Sequence, residues 1–362
     1  MYSFPYISEK PTISMKISRL LSLLLMGFFF ACRPATQEKS DLPTLKTYFA
    51  HTNKEDVLTG GVRMIPIETP KGTFKVWTKR VGNNPRMKLL LLHGGPGANH
   101  AYFEAFDSFL PQEGIEYYYY DQLGSALSEK PKDSTLWTIE HFVEEVEQVR
   151  QALDLDKDNF YILGHSWGGM LGIEYALKYQ ENLKGLIISN MMSSIPAYVD
   201  YAQNVLGPQF GKKVYDELME LENAKEYDNP RYLELIYEHH YPQHVIRFPL
   251  DAWPEPVSRG FEGLNADLYV YMQGVSEFGV TEGATLADWD RSGDLGKITV
   301  PTLTIGAEFD TMDPKHMEEM AEKLPKGSYL YCPQGSHFAM YDDQQTYFKG
   351  VIQFMKEVNG VE

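Results

Sequence analysis

Short apolar runs alternate with helical stripes along the first half of the chain and again near its end. Five runs have the length and composition of strands that are buried on both faces of a parallel sheet: Met87 to Leu92, Ile115 to Tyr120, Asn159 to Leu163, Leu183 to Ser189 and Thr302 to Ile305. Ser328 to Cys332 predicts a further strand. Thr73 to Val81 alternates only weakly, which predicts a strand near the sheet edge.

Between these runs, apolar residues recur three and four positions apart, as they do on the buried face of a helix. The helices predicted in this way are Thr138 to Leu153, Gly168 to Lys178, Pro314 to Leu324 and Asp343 to Val358. The alternation of strand and helix predicts an α/β fold, with a mostly parallel, doubly wound sheet that helices cover on both faces.

The stretch from about Met191 to Asp290 breaks this alternation. It is rich in Tyr, Pro and Glu, and it has helical patterns but no clear buried strand. We therefore predict a helical cap at 191–292, inserted between two parts of the α/β domain at 55–190 and 293–362. Ligands of open α/β sheets bind outside the carboxyl ends of the strands, where we expect such a cap to lie.

The first residues have the pattern of an export leader. A basic stretch, Met15 to Arg19, precedes the apolar run Leu20 to Phe30, which is too short to span a bilayer comfortably. The run ends at Ala31-Cys32, which resembles a bacterial lipobox, where the cysteine is acylated and becomes the mature N-terminus. We expect a leader at 1–32 and a polar tether at 33–54.

Acylation of Cys32 would hold the protein on the periplasmic face of a bacterial membrane. If the leader is a plain signal peptide and this cysteine is incidental, the protein would instead be secreted. Met15 is an alternative to Met1 as the start of translation. Cys332 is the other of the two cysteines, so the sequence offers no disulfide framework and no cysteine-rich metal site.

Acidic residues outnumber basic ones by 50 to 33, and the formal net charge is −17. A surface of this charge repels the phosphate backbone of nucleic acids and anionic membranes. We therefore expect no nucleic-acid partner, and contact with a membrane only through a lipid anchor.

The strongest chemical signal is Gly164-His165-Ser166-Trp167-Gly168-Gly169, which fits the pattern Gly-x-Ser-x-Gly. It lies between a predicted buried strand and a predicted helix, where the nucleophile of the α/β-hydrolase fold belongs. The serine of this motif sits on a sharp turn, and side chains at the two outer glycines would crowd the neighbouring strand or helix. We predict an α/β-hydrolase fold in which Ser166 is the nucleophile.

A serine nucleophile needs a general base, and the base needs an acid that orients it. In this fold the acid and then the histidine follow the serine along the chain. Asp310 comes directly after one predicted strand and His337 after the next, so we predict that they fill these roles. Glu308 and Asp313 are alternative acids.

The glycine-rich turn His93-Gly94-Gly95-Pro96-Gly97 follows another predicted strand. Its glycines leave backbone N–H groups bare beside the reacting carbonyl. We predict that the N–H groups of Gly95 and Trp167 form the oxyanion hole, which stabilises the tetrahedral intermediate. Gly94 is a candidate contact of the bound substrate.

The glycine-rich turn and the serine motif together resemble the proline iminopeptidase, or prolyl aminopeptidase, family of α/β hydrolases. Asp121 to Ser128 resembles that family's Asp-Gln-Arg-Gly-x-Gly-x-Ser loop, with Leu123 in place of the arginine and Ala126 in place of the second glycine. These departures leave the preferred N-terminal residue open. The resemblance continues in the cap at Tyr271 to Phe278 and covers most of the chain from about Val62.

The resemblance implies release of an N-terminal residue, often proline, from short peptides that have a free N-terminus. Acidic cap residues of this family hold the substrate's α-amino group, and Glu277 stands at the matching place, with Glu238 as a second candidate. A carboxylate bound to the ammonium group would also fix which peptide bond reaches the serine. Trp253, Tyr269 and Tyr271 are candidate lining residues of the pocket.

Other functions remain open from the residues alone. The scaffold also suits another acyl hydrolase, such as an esterase or an amino-acid amidase, and a binding lipoprotein with a vestigial site is a third possibility. His239, His240 and His244 lie close together but lack further ligands for a metal site. Asp121 to Gly124 lacks the lysine and hydroxyl of a phosphate-binding loop, so no cofactor is implied.

Overall fold

A mixed sheet of eight strands organises the computed structural model, which describes residues 43–50 and 54–361. The predicted leader, with Cys32, and most of the predicted tether lie outside these residues. The spatial order of the strands is β1-β2-β4-β3-β5-β6-β7-β8. The strands are β1 (Val62–Thr69), β2 (Gly72–Val81), β3 (Lys88–Leu92), β4 (Glu116–Asp121), β5 (Phe160–His165), β6 (Gly185–Ser189), β7 (Thr302–Ala307) and β8 (Gly327–Cys332).

The predicted mostly parallel sheet is confirmed. Strands β3 to β8 pair in parallel, whereas β2 runs antiparallel to both β1 and β4. The edge strand β1 was not predicted, because its sequence contains Pro66 and buries only Ile65 and Ile67. Proline cannot donate to a ladder and is tolerated at a sheet edge, which is where β1 lies.

Eleven α-helices occur in the described part of the chain, and those that accompany the sheet lie within one or two residues of their predicted positions. They are α1 (Leu45–Tyr48), α2 (Ile139–Ala152), α3 (Trp167–Tyr179), α4 (Ile195–Tyr201), α5 (Lys212–Ala224), α6 (Pro230–His239), α7 (Glu255–Glu262), α8 (Ala266–Met272), α9 (Pro314–Lys323), α10 (Ala339–Asp342) and α11 (Gln344–Asn359). Within the described ranges, no helix combines the length and the apolar character needed to span a bilayer.

The chain between β6 and β7 contains the helices α4 to α8 and no strand. An isolated antiparallel bridge joins Ser194 to Asp290 and brings the two ends of this segment together. We call residues 191–292 the cap segment.

The register of the parallel strands sets where the site forms. Leu92 at the end of β3 pairs with Gly164 of β5, and His165 pairs with Ser189 at the end of β6. Ala307 and Cys332 pair at the ends of β7 and β8. Because these ends are nearly level, the turns that follow them meet at one edge of the sheet.

Candidate active site

A cavity of about 180 Å³ lies over the carboxyl edge of the sheet. Three of its lining residues carry chemistry and come from different parts of the chain: Ser166 follows β5, His337 follows β8 and Glu277 belongs to the cap segment. Most of the remaining wall is apolar or aromatic, including Ala98, Phe261, Leu264, Val270, Val275 and Phe338. An apolar cavity of about 150 Å³ accepts benzene, so this space admits a group the size of a proline ring.

Ser166 occupies a strained turn between β5 and α3. Its φ of 55° and ψ of −127° lie in a region that side chains rarely adopt. A Cβ atom at Gly164 would come within 2.0 Å of the carbonyl oxygen of Gly168, and one at Gly168 within 2.0 Å of that of Leu92. The turn therefore requires glycine on both sides of the serine, as the sequence pattern indicated.

The structure brings His337 and Asp310 together. The imidazole Nδ1 lies 2.9 Å from Asp310 Oδ1, and both side chains are buried. Asn190 Nδ2 donates to the other carboxylate oxygen at 2.7 Å, and the Met312 N–H donates to Oδ1 at 3.0 Å. These donors hold Asp310 as an acceptor, so Nδ1 of His337 carries a proton and Nε2 is left to act as a base.

Opposing effects act on the pKa of His337. Burial lowers it, but the neighbouring Asp310 carboxylate and, more weakly, Glu277 raise it to a net value above the ordinary one. An imidazole with a raised pKa is a stronger base in its neutral form, which suits proton abstraction from a serine hydroxyl.

The two alternative acids lie elsewhere. Glu308 accepts a hydrogen bond from the hydroxyl of the exposed Tyr331. Asp313 caps α9 by accepting the N–H of Lys315 at 2.9 Å. Of the three carboxylates considered, the structure pairs Asp310 with His337.

The glycine turn after β3 approaches the serine closely. A Cβ atom at Gly94 would lie 3.0 Å from Ser166 Cβ and 3.4 Å from its Oγ. The backbone N–H groups of Gly95 and Trp167 make no hydrogen bond within residues 43–50 and 54–361. They are therefore free to receive an oxyanion, and Trp167 N–H also lies at the start of α3, where the helix dipole favours negative charge.

Gln122 supports this arrangement and was not singled out from the sequence. Its side chain accepts the indole N–H of Trp167 at 2.9 Å and donates to the carbonyl of His93 at 3.0 Å. One buried amide thus joins the helix that follows the serine to the glycine turn. Its position in the loop that resembles Asp-Gln-Arg-Gly was the available signal.

Glu277 is buried in the cavity wall. Tyr269 donates to its Oε1 at 2.5 Å, whereas Oε2 has no hydrogen-bond partner among the described residues. Burial raises the pKa of this carboxyl, partly offset by His337 and by the Tyr269 hydroxyl. A bound cation would stabilise the ionised form, so the geometry leaves one carboxylate oxygen ready for an ammonium group.

The second amine candidate does not reach the cavity. Glu238 on α6 is more than half exposed, and its Oε2 lies 3.8 Å from Nε2 of His239. The preceding residue, Tyr237, lines the cavity. Successive residues of a helix point about 100° apart, so only one of the two can face inward. The structure does not support a substrate contact for Glu238.

The three aromatic candidates also separate. Tyr269 lines the cavity beside Glu277, but Tyr271 is exposed and packs edge-on against Trp137 with ring centroids 5.4 Å apart. Trp253 stacks on Tyr241 and contributes to the cap core rather than to the cavity wall. Within the described residues, no group of three or more His, Cys, Asp or Glu side chains could hold a metal ion.

Comparisons with known proteins agree with this geometry. Residues 88–344 match the sequence model of a family described as alpha/beta hydrolase fold. Curated proline iminopeptidases of Flavobacterium johnsoniae and Elizabethkingia meningoseptica are each 55% identical over 296 residues, which cover 82% of this chain and 98% of the relative. A proline iminopeptidase of Saccharolobus solfataricus is 36% identical over 75% of this chain and 85% of its own.

Two solved structures superpose on most of the chain. The proline iminopeptidase of Mycobacterium smegmatis superposes with a TM-score of 0.72 at 27% identity, over 82% of this chain and 98% of that one. VinJ superposes with a TM-score of 0.73 at 26% identity, with 82% and 99% covered. The sheet, the serine turn and these relatives lead to one assignment: the chain belongs to the proline iminopeptidase family of serine hydrolases with the α/β-hydrolase fold.

Proposed function

We propose that the protein is an exported aminopeptidase that releases N-terminal proline from short peptides through an acyl-enzyme. The observation that carries this proposal is the buried Glu277 carboxylate in the same cavity as Ser166. A hydrolase that acts only on neutral acyl groups has no use for a buried carboxylate there, since burying the charge without a cation beside it is costly. A substrate with a free α-amino group supplies that partner.

The proposed reaction follows the roles predicted for the triad. Ser166 Oγ attacks the carbonyl of the first residue while His337 takes its proton, and Asp310 stabilises the imidazolium. The N–H groups of Gly95 and Trp167 stabilise the oxyanion. His337 then gives the proton to the leaving amine, and the shortened peptide departs. Water activated by His337 hydrolyses the ester and frees the amino acid.

The amine contact explains why cleavage would stop after one residue. An ammonium group held by Glu277 fixes the register of the peptide, so that only the first carbonyl reaches Ser166. The small, largely apolar space beside this contact suits a compact ring such as that of proline.

The test compares prolyl- and alanyl-naphthylamide, each with a free and with an acetylated N-terminus. We expect turnover of the free-amine forms, faster for proline, and none in Ser166→Ala. Loss of a charge-assisted hydrogen bond costs about 1.5–3 kcal/mol, so Glu277→Gln should lower kcat/KM on free-amine substrates about 10- to 150-fold. Glu238→Gln removes the same charge from the exposed surface of the cap segment and should leave kcat/KM unchanged.

Equal or better turnover of the acetylated substrates would refute the amine contact and would favour a general acyl hydrolase. Labelling of Ser166 by a fluorophosphonate would exclude a non-enzymatic binding lipoprotein.

We also propose that a lipid on Cys32 holds the enzyme at the periplasmic face of a bacterial membrane. The support is the leader pattern alone: a basic stretch, an apolar run and a cysteine at its end. In cells expressing the full chain, wild type and Cys332→Ala should incorporate labelled palmitate and sediment with membranes, whereas Cys32→Ala should do neither. Unchanged membrane fractionation of Cys32→Ala would refute the anchor.

A further inference from the structure

The glycine turn that carries the oxyanion donor is held from outside the triad. We propose that Tyr102 and His165 are positioning residues that fix this turn relative to the catalytic histidine, through one directed chain of hydrogen bonds. The inference rests on the proposed hydrolytic function, but it concerns residues to which that function assigns no role.

The chain of hydrogen bonds joins two loops and the end of β5. The Gly94 N–H lies 2.5 Å from the Tyr102 hydroxyl oxygen, and this hydroxyl lies 3.3 Å from Nδ1 of His165. Nε2 of His165 lies 2.8 Å from the backbone carbonyl of His337. The glycine turn, the residue before the nucleophile and the loop of the base are therefore connected by two side chains.

The carbonyl at one end fixes the direction of every bond. Because the His337 carbonyl can only accept, Nε2 of His165 must be the donor, and Nδ1 of the neutral ring must be an acceptor. The Tyr102 hydroxyl therefore donates to Nδ1, and its lone pair accepts the Gly94 N–H. With a neutral His165 ring, no other set of proton positions satisfies all three contacts.

Burial keeps this set of protons in place. The pKa of His165 is held well below its usual value, mainly by burial and also by His337, so the ring stays neutral. Burial likewise raises the pKa of the Tyr102 hydroxyl, so the phenol stays protonated. Both residues keep their donor and acceptor roles throughout the pH range in which the enzyme would work.

The other side of the turn is held in a similar way. The backbone N–H of Gln122 donates to Nε2 of His93 at 3.1 Å. Nδ1 of the neutral His93 ring therefore carries the proton and donates to the Gly94 carbonyl at 2.9 Å. That carbonyl and the Gly95 N–H belong to one planar peptide unit and point in opposite directions. Holding Gly94 at both its N–H and its carbonyl therefore aims the Gly95 N–H.

The functional consequence concerns the transition state. An oxyanion donor acts only when it lies about 2.7–3.1 Å from the developing charge, and removing such a donor costs about 100- to 1,000-fold in kcat. Releasing the turn without deleting the donor should cost less. We expect Tyr102→Phe to lower kcat on prolyl-naphthylamide about 10- to 100-fold, with KM changed less than threefold.

The matched control is Tyr161→Phe. Tyr161 is as fully buried as Tyr102 and makes one side-chain hydrogen bond, with Asn359 at 2.6 Å, but it lies at the opposite end of β5 from Ser166. Both variants lose one buried hydroxyl and should lose similar amounts of stability. Only Tyr102→Phe should lose activity.

A second readout separates positioning from general loosening of the fold. A fluorophosphonate places its phosphoryl oxygen in the oxyanion hole without using the amine contact. We expect its rate of reaction with Ser166 to fall by a factor similar to that of kcat in Tyr102→Phe, and to stay at the wild-type value in Tyr161→Phe. Labelling and kcat within twofold of wild type in Tyr102→Phe, or equal losses in both variants, would overturn the inference.

A pair of His165 variants carries the test if Tyr102→Phe does not fold. His165→Gln keeps one donor and one acceptor and should retain most of the labelling rate, whereas His165→Leu keeps neither and should lose it. Equal rates in the two variants would overturn the inference. If wild type reacts with the fluorophosphonate but not with prolyl-naphthylamide, the proposed substrate fails while the positioning roles are still tested by labelling.

Discussion

Glu145 is a buried acid that should make the stability of the fold depend on pH. It lies on α2 with no exposed surface, and its Oε1 accepts the Tyr120 hydroxyl and the Leu123 N–H. Its Oε2 has no hydrogen-bond partner among the described residues and lies 3.5 Å from Nε2 of His141. Burial raises the pKa of this carboxyl to about 7, against 4.5 for an exposed glutamate.

The sign of the effect follows from proton binding. Between about pH 4.5 and pH 7 the folded protein keeps a proton on Glu145 that the unfolded chain releases, so the free energy of unfolding falls as the pH rises through this window. Each pH unit of difference in pKa corresponds to about 1.4 kcal/mol. The shift therefore amounts to about 3 kcal/mol of stability that is present at pH 4 and lost by pH 8.5.

Glu145→Gln should remove this dependence. The glutamine carbonyl can still accept from Tyr120 and Leu123, and the side chain stays neutral at every pH. We expect the free energy of unfolding of the variant, relative to wild type, to rise by about 3 kcal/mol between pH 4 and pH 8.5. The measurement is urea unfolding followed by tryptophan fluorescence at intervals across that range.

Glu140→Gln is the control for this measurement, because Glu140 lies on the same helix but is exposed. It removes one carboxylate from the exposed face of α2, so any pH dependence that the two variants share comes from loss of a charge and not from burial. A Glu145→Gln difference that is the same at pH 4 and pH 8.5 would show that Glu145 is not held protonated in the folded state.

Three further outcomes are expected. Gly168→Ala should prevent folding or abolish activity, because its Cβ would overlap the carbonyl at the end of β3. The control is Gly293→Ala, which should behave as wild type in yield and kcat, because among the described residues a Cβ there meets nothing within 4 Å apart from its own chain neighbours. The Cys332 thiol is fully buried, and burial raises its pKa, so it should react with iodoacetamide only in the urea range where the protein unfolds. Peptide mass spectrometry measures this reaction, and rapid reaction in buffer would contradict the burial of the thiol. Fluorophosphonate labelling should rise with pH through a midpoint above 6.5, since the pKa of His337 is raised, and the midpoint should move down in Asp310→Asn.

Much of the site follows from the sequence because its parts sit at the ends of predictable strands. Once the runs before Gly94, Ser166, Asp310 and His337 were assigned to parallel strands, the geometry of such sheets placed these residues at one edge. The glycines of the serine motif could be explained in advance as well, because the crowding they avoid is local to the turn.

The parts that could not be predicted depend on contacts across long stretches of chain. The Tyr102 hydroxyl forms hydrogen bonds with Gly94 and His165. The Asn190 side chain donates to Asp310, which lies 120 positions further along the chain. Nothing in the residues next to Tyr102 or Asn190 distinguishes them from ordinary core residues. Whether Tyr237 or Glu238 faces the cavity depends on the rotation of α6 about its axis. A short helix with mixed polarity does not reveal this rotation in its sequence.

The backbone contacts of Glu277 tie the proposed amine contact to the triad. Its backbone carbonyl accepts hydrogen bonds from Tyr198 at 2.6 Å, from His240 at 2.9 Å and from Thr311 at 2.9 Å. Thr311 directly follows Asp310, while the other two donors belong to the cap segment. The contacts that hold the Glu277 backbone therefore include the loop of Asp310, and a shift of the cap segment would disturb both the proposed amine contact and the triad. An aminopeptidase that removes one residue from a free N-terminus needs a constant distance between the proposed amine contact and Ser166. Hydrogen bonds from Tyr198, His240 and Thr311, which lie far apart in the sequence, set this distance.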